Sequence, residues 1–205
     1  MSAILYYLLT FAEAGLGAVG YRGLYEQPRY QVVDHLAGGI EVRDYAARVA
    51  AETDDDGRGG AAFGRLFRYI TGANQAGTRI AMTAPVSQRG DLIAMTVPVQ
   101  SQPSGGVMRF FLPADVAAAG APAPTDPLVR IVDVPARRIA VRRFSGIPDR
   151  ERVAVEDGLL LSGLSKAGLR PTGAPFLLTY DAPFTLPFVR RNEAAVELAQ
   201  PISSK

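Results

Sequence analysis

Two stretches of the chain lie over one another without a gap. VVDHLAGGIEVRDY (residues 32–45) matches IVDVPARRIAVRRF (131–144): Val33, Asp34, Ile40, Val42 and Arg43 recur as Val132, Asp133, Ile139, Val141 and Arg142, and Tyr45 is replaced by Phe144. A match spread over fourteen positions points to an internal duplication, so the chain is expected to fold as two similar halves. IEVRDY and IAVRRF alternate apolar and polar residues with a period of two, the pattern of a strand with one buried face. Each copy reads as a strand, a tight turn and a second strand.

A helix is expected after each pair. Phe63, Leu66, Phe67 and Ile70 fall at helical spacing, with Gly72 as the stop. In the second half Asp149 can cap a helix running to about Lys166, with Val153, Leu160 and Leu164 inward and Gly168 at its end. Further strands are expected at 80–86, 92–99 and 107–112, then at 176–181 and 189–198. The Pro- and Ala-rich stretch 114–127 reads as a surface connector between half one (28–113) and half two (128–201), both within one domain spanning 28–201. The run Asp54-Asp55-Asp56-Gly57 lacks the ligand spacing of a calcium loop and reads as a solvated loop. Residues 80–86 and 93–99 repeat the phrase Ile-Ala-Met-Thr-Xaa-Pro-Val around Gln88-Arg89-Gly90-Asp91, the simplest geometry being a hairpin.

The fold class is therefore α+β, two βαββ-type repeats whose antiparallel sheet could curl into a barrel with a helix against each half and clefts where the halves meet. At 205 residues the chain is long enough for one sizeable core. It has no cysteine and a single histidine, His35, which excludes thiolate and multi-histidine metal sites and leaves little for a catalytic triad. No catalytic residue is assigned. A net charge of +2 with scattered arginines argues against a nucleic-acid surface. The amino-terminal stretch of residues 1–22 is largely apolar but carries Glu13 and no Lys or Arg before it. An accessory helix that docks on the domain, a partner or a membrane surface fits it better than a signal peptide or an anchor, and a cytoplasmic location is favoured.

The segments IEVRDY, FGRLFRYITGANQAGTRIAMTAPV, MRFFLP and PFTLPFVRRNEAAVEL, in that order from about Tyr30 to Leu198, resemble the SOUL heme-binding protein family. The resemblance implies a distorted antiparallel barrel of duplicated βαββ units with two flanking helices, related to effector-binding domains of bacterial regulators. It also implies non-covalent binding of heme or another tetrapyrrole in a shallow apolar cleft beside the first helix, for buffering, transport or sensing. Phe63, Leu66, Phe67 and Ile70 offer an apolar face for a macrocycle, and Arg65, Arg68 and Arg79 offer cations for its propionates. Met82, Phe184 and Phe188 are further candidates for the same cleft. The same residues also suit a helix packed on its sheet and a chain end clamped to the fold. Asp44 stands where some members place a histidine ligand, so no metal ligand is assigned. The alternative reading is an effector-binding or enzymatic module that takes another apolar small molecule between the halves; Glu41, Asp181 or Glu193 pointing into a closed pocket would favour it.

Overall fold

The structure is a computed structural model that describes residues 26–55, 60–81, 83–84, 86–89, 106–181 and 185–199. Its elements are β1 (Tyr30–Leu36), β2 (Ile40–Tyr45), β3 (Arg48–Asp55), α1 (Gly60–Ile70), β4 (Val86–Arg89), β5 (Gly106–Phe111), α2 (Ala114–Ala119), β6 (Val129–Val134), β7 (Arg137–Phe144), α3 (Arg150–Lys166), β8 (Phe176–Thr179) and β9 (Asn192–Leu198). All nine strands form one antiparallel sheet in the order β1-β2-β7-β9-β8-β4-β5-β3-β6. Among the described residues β1 and β6 are its ends, so the sheet is not closed and the expected barrel is not confirmed.

With β1 set aside, the strand order reads the same from both ends if β2 is exchanged with β6, β3 with β7, β4 with β8 and β5 with β9. The register obeys the same exchange. Arg48 faces Val134 and Arg137 faces Tyr45; Val49 faces Asp133 and Arg138 faces Asp44. Each partner is shifted by about 89 positions. The duplicated topology therefore equates IEVRDY with VRIVDV, not with IAVRRF, which lies in β7 and pairs with β2. The sequence match was displaced by an even number of residues. Such a slip keeps every inward residue inward, so alternation alone does not reveal it.

Strand, turn and strand describes the first copy well: β1 and β2 form a hairpin through Gly38 and Gly39, both at positive φ. The second copy differs. β6 and β7 are joined by Pro135-Ala136 but pair with different strands, β6 with β3 and β7 with β2 and β9, just as Ala46-Ala47 carries β2 into β3 across the sheet. Each half thus donates its first strand to the other half.

The helix limits agree with their sequence signals. Asp149 accepts the Arg152 amide at 2.8 Å, and Gly168 (φ 71°) and Gly72 (φ 123°) follow the ends of α3 and α1. Both helices lie on one face of the sheet. α1 packs on Ala51, Met108 and Phe110, and α3 on Ile40, Val42, Ala140 and Val196. Glu156 pins α3 to β7 by pairing with Arg142, and pairs with Arg152 one turn earlier in the same helix.

Three strand limits are corrected. Residues 80, 81, 83 and 84 belong to no strand, because their backbone is committed elsewhere: the Ile80 amide donates to the Ile70 carbonyl (2.7 Å) and the Ala84 amide to that of Glu26 (3.1 Å). The strand begins only at Val86. β9 begins at Asn192 because Pro187–Val189 form a short 3-10 turn. Asp54 and Asp55 end β3 instead of lying in a loop, and the connector contains α2, a third helix beyond the two expected. The second copy of the repeated phrase and the amino-terminal segment lie outside the described residues.

Gly163 of α3 sits where a Cβ would collide with Cδ1 of the buried Ile40, whereas a Cβ at Gly158 meets open space. Gly158→Ala should stabilise the protein by up to about 1 kcal/mol in urea denaturation. Gly163→Ala should instead destabilise it by about 1–3 kcal/mol, with recovery in Gly163→Ala/Ile40→Val.

Candidate functional site

The surface of α1 divides its residues by depth. Ala62, Leu66, Tyr69 and Ile70 are buried against the sheet, a stripe rotated from the expected one. Leu66 and Ile70 therefore belong to the core. Phe67 is 45 % exposed and stacks on half-buried Phe63 with centroids 5.9 Å apart, and Phe63 meets Phe110 edge-on. Tyr69 takes Phe67's expected place inside because its hydroxyl reaches the Pro122 carbonyl at 2.9 Å. The arginines also differ. Arg65 donates to Thr53 Oγ1 (2.9 Å) and the Asp54 carbonyl (2.7 Å), so it anchors α1 to β3. Arg68 is exposed, with only a loose 3.7 Å pairing to Asp126, and lies beside Gly64. Arg79 is exposed on the loop after α1. Phe188, 73 % exposed, sits in the 3-10 turn before β9, and Met82 and Phe184 lie outside the described residues.

Asp44, Tyr45 and His35, side chains chemically able to ligate iron, are hydrogen-bonded or exposed. Asp44 accepts both a 2.7 Å Nε and a 2.7 Å Nη2 bond from Arg138, which holds its carboxyl below the usual range. The Tyr45 hydroxyl accepts from Arg43 Nη1 at 3.2 Å. His35 is exposed on β1. Among the described residues no group of His, Cys, Asp and Glu is placed to hold a metal ion.

The opposite face of the sheet carries the densest network of buried charge among the described residues. Arg43 of β2 donates to both oxygens of the fully buried Glu193 of β9, at 2.9 and 3.1 Å; Arg191 adds bonds at 2.6 and 3.0 Å and the Tyr180 hydroxyl one at 2.7 Å. Burial opposes the Glu193 charge, but the Arg43 hydrogen bonds and the two guanidinium charges outweigh it and lower its pKa. Asp181 accepts the Arg191 amide at 2.6 Å, and Glu41 pairs with Arg43. None of these three carboxylates lines a large cavity. In the other half Glu52 receives Arg109 (2.6 Å) and Arg130 (3.1 Å).

Arg48 is arranged differently. Its guanidinium lies between the rings of Tyr45 (4.5 Å) and Phe111 (4.3 Å), and its Nε and Nη1 are buried with no hydrogen-bond partner. Burial pushes its pKa down to about 10. It borders a cleft of about 700 Å³ where β2 passes into β3 beside the end of β6, walled by Ala47, Val49, Phe111, Leu112, Ala117 and Val134. No residue of α1 lines this cleft. Arg48 was not singled out in the sequence, and β3, which carries it, was not among the expected strands.

These features can be set against known proteins. The sequence matches the SOUL heme-binding protein family over residues 25–197. The chain belongs to this family. No curated protein matches it. Among solved structures, the SOUL chain resembles the EcmrR C-terminal domain (12 % identity, 84 % of this chain and 99 % of that one, TM-score 0.52). It also resembles an uncharacterized conserved protein from Listeria innocua (9 %, 87 % and 95 %, 0.52) and a hydrolase from Listeria innocua (10 %, 78 % and 91 %, 0.51). At these identities the likeness is one of fold. Among the described residues no helix is long and apolar enough to cross a membrane.

Glu193→Gln should lower stability by about 3–5 kcal/mol at pH 7, since it leaves two buried cations undercompensated. The Glu193 pKa is depressed on folding, so its contribution is present above the usual carboxylate range and is lost as pH falls through the folded value. Urea denaturation of the two proteins should therefore converge in acid, while pairing the change with Arg43→Met should recover stability at pH 7.

Proposed function

We propose that this SOUL protein binds heme or a related tetrapyrrole non-covalently on the exposed side of α1, as a carrier, buffer or sensor and not as an enzyme. The observation that carries the reading is the stacked Phe63–Phe67 pair, with Phe67 turned to solvent beside exposed Arg68. A flat aromatic ledge can take one face of a macrocycle, and a guanidinium can grip a propionate through two parallel hydrogen bonds. Gly64, one turn before Arg68, leaves that side of the helix low. Arg79 is a second cation within the same helix-to-loop segment. Leu66 and Ile70 support the ledge from the core, and Arg65 fixes the helix to β3. Arg79, Met82, Phe184 and Phe188 remain candidates for the edge of the ligand.

The engaged hydroxyls of Tyr45 and Tyr69 and the Asp44–Arg138 pair favour binding through packing and propionate contacts over coordination by these side chains. Heme supplies the iron chemistry when bound; the chain supplies the ledge and the cations.

Titration of the full chain with ferric heme should give a saturable Soret shift. Phe67→Ala and Arg68→Ala should each weaken binding about tenfold, the loss of roughly one apolar contact or one charged hydrogen bond. His35→Ala should change neither affinity nor spectrum. Absence of saturation at micromolar heme would overturn the proposal.

A further inference from the structure

The cleft beside Arg48 is used by neither the α1 surface nor the Glu193 network. We infer that it is a second binding site, and that its ligand is an apolar monocarboxylate, an acyl or aryl acid, whose carboxylate is held at Arg48.

Three observations converge on that class. The volume, about 700 Å³, lies within the range of small-molecule sites, and the walls are small apolar side chains with Phe111 as the one ring. Such walls accept a hydrocarbon body and offer it little hydrogen bonding. The charge at the cleft is the second. Arg43 and Arg191, on the same face, are matched by Glu193, and Arg109 and Arg130 are matched by Glu52. Arg48 has rings on both sides and no carboxylate within 4 Å among the described residues. A buried guanidinium left with donors unused costs stability, and an incoming carboxylate would relieve that cost. The third is the rim. Glu26 and Asp133 also line the cleft, with Arg29 as the rim cation. Glu26 is held in place by the Ala114 amide, which donates to its Oε1 at 3.2 Å. Two rim carboxylates oppose a second acidic group, which separates a monocarboxylate from a dicarboxylate such as heme.

The rings of Tyr45 and Phe111 keep the Arg48 side chain from folding away, so the cation is presented without a further ordering cost. Thr83 closes the cleft from the loop side, its hydroxyl donating to the Phe111 carbonyl and its backbone bridging to Glu26. The site therefore draws on β3, β5, β6 and the first described residues of the chain.

Calorimetric titration of the full chain with decanoate, decanol and decylammonium tests this. Decanoate should bind saturably, with decanol and decylammonium at least about tenfold weaker. Arg48→Leu should cost decanoate at least about tenfold and leave decanol unchanged, and Arg48→Lys should retain part of the preference. Circular dichroism melts of both variants check that the fold survives, which relief of an unpaired buried cation favours. Equal affinity for decanoate in the wild type and in Arg48→Leu would overturn the site. So would the absence of saturable binding by the full chain, as expected if the chain's own apolar residues or a second copy fill the cleft. The heme reading is tested separately. Arg48→Leu should leave the Soret titration unchanged and Phe67→Ala should leave decanoate binding unchanged; loss of heme binding in Arg48→Leu would place heme in the cleft and overturn the monocarboxylate assignment.

Discussion

Glu193 sits at the point where the two halves of the sheet must agree. It belongs to β9, yet its two oxygens are held by Arg43 of β2, a strand from the other half that reaches it through β7. A carboxylate with no exposure is tolerated only when its charge is fully matched. The match here requires β2 to be in the other half, Arg191 to fold back over it and the Tyr180 hydroxyl to close the last acceptor. Satisfying this one group therefore ties together the strand exchange, the conformation before β9 and the packing of the ring-bearing face. Replacing the network by hydrocarbon could hold the halves equally well; the ionic version also specifies which strand pairs with which.

The buried and half-buried cations of the sheet fall into two kinds. Most are neutralised by a carboxylate one or two strands away: Arg43 by Glu193, Arg109 by Glu52 and Arg138 by Asp44. They build the sheet. Arg48 is held by quadrupoles instead, between Tyr45 and Phe111, and Tyr45 in turn meets Tyr30, the ring beneath Arg43, so cations and rings form one continuous row. Ring faces stabilise a guanidinium from above and below but accept nothing from its edges. That leaves the edge donors to any acceptor that can reach them through the cleft that Arg48 borders.

Much of the fold was legible in the chain because its signals are local. Asp149 and Gly168 mark the ends of α3, and Gly72 marks that of α1, each through the hydrogen bonds of a helix terminus. The duplication was legible as well, but not its register, because a displacement by an even number of residues preserves the alternation on which the match rests. The depth of the α1 residues was half legible: spacing gave the helix, while Tyr69, and not Phe67, went inward because the Pro122 carbonyl, far along the chain, awaited its hydroxyl. Arg48 was illegible for a related reason. Arg48, Glu52 and Asp54 share one face of β3, a strand whose polar RVAAETDD sequence gives no clear alternation, and the partners that let Glu52 stay buried, Arg109 and Arg130, lie 57 and 78 residues away. A polar face becomes an interior when a distant segment brings the opposite charges.

The two candidate surfaces are separated by the thickness of one strand. Phe110 of β5 points to the helix side, where it meets Phe63 edge-on, and the next residue, Phe111, points to the other side and covers Arg48. Alternation along β5 thus gives consecutive rings to different sites, one supporting the α1 ledge and one forming the wall of the cleft. β5 is also paired on both edges, by β4 and by β3, so its backbone cannot shift toward one site without carrying the other ring away from its partner. A rigid central strand of this kind favours two ligands of different charge and shape held independently over a single ligand shared between the faces. The same sheet carries its two long helices on one face and both the Arg43–Glu193 network and Arg48 on the other.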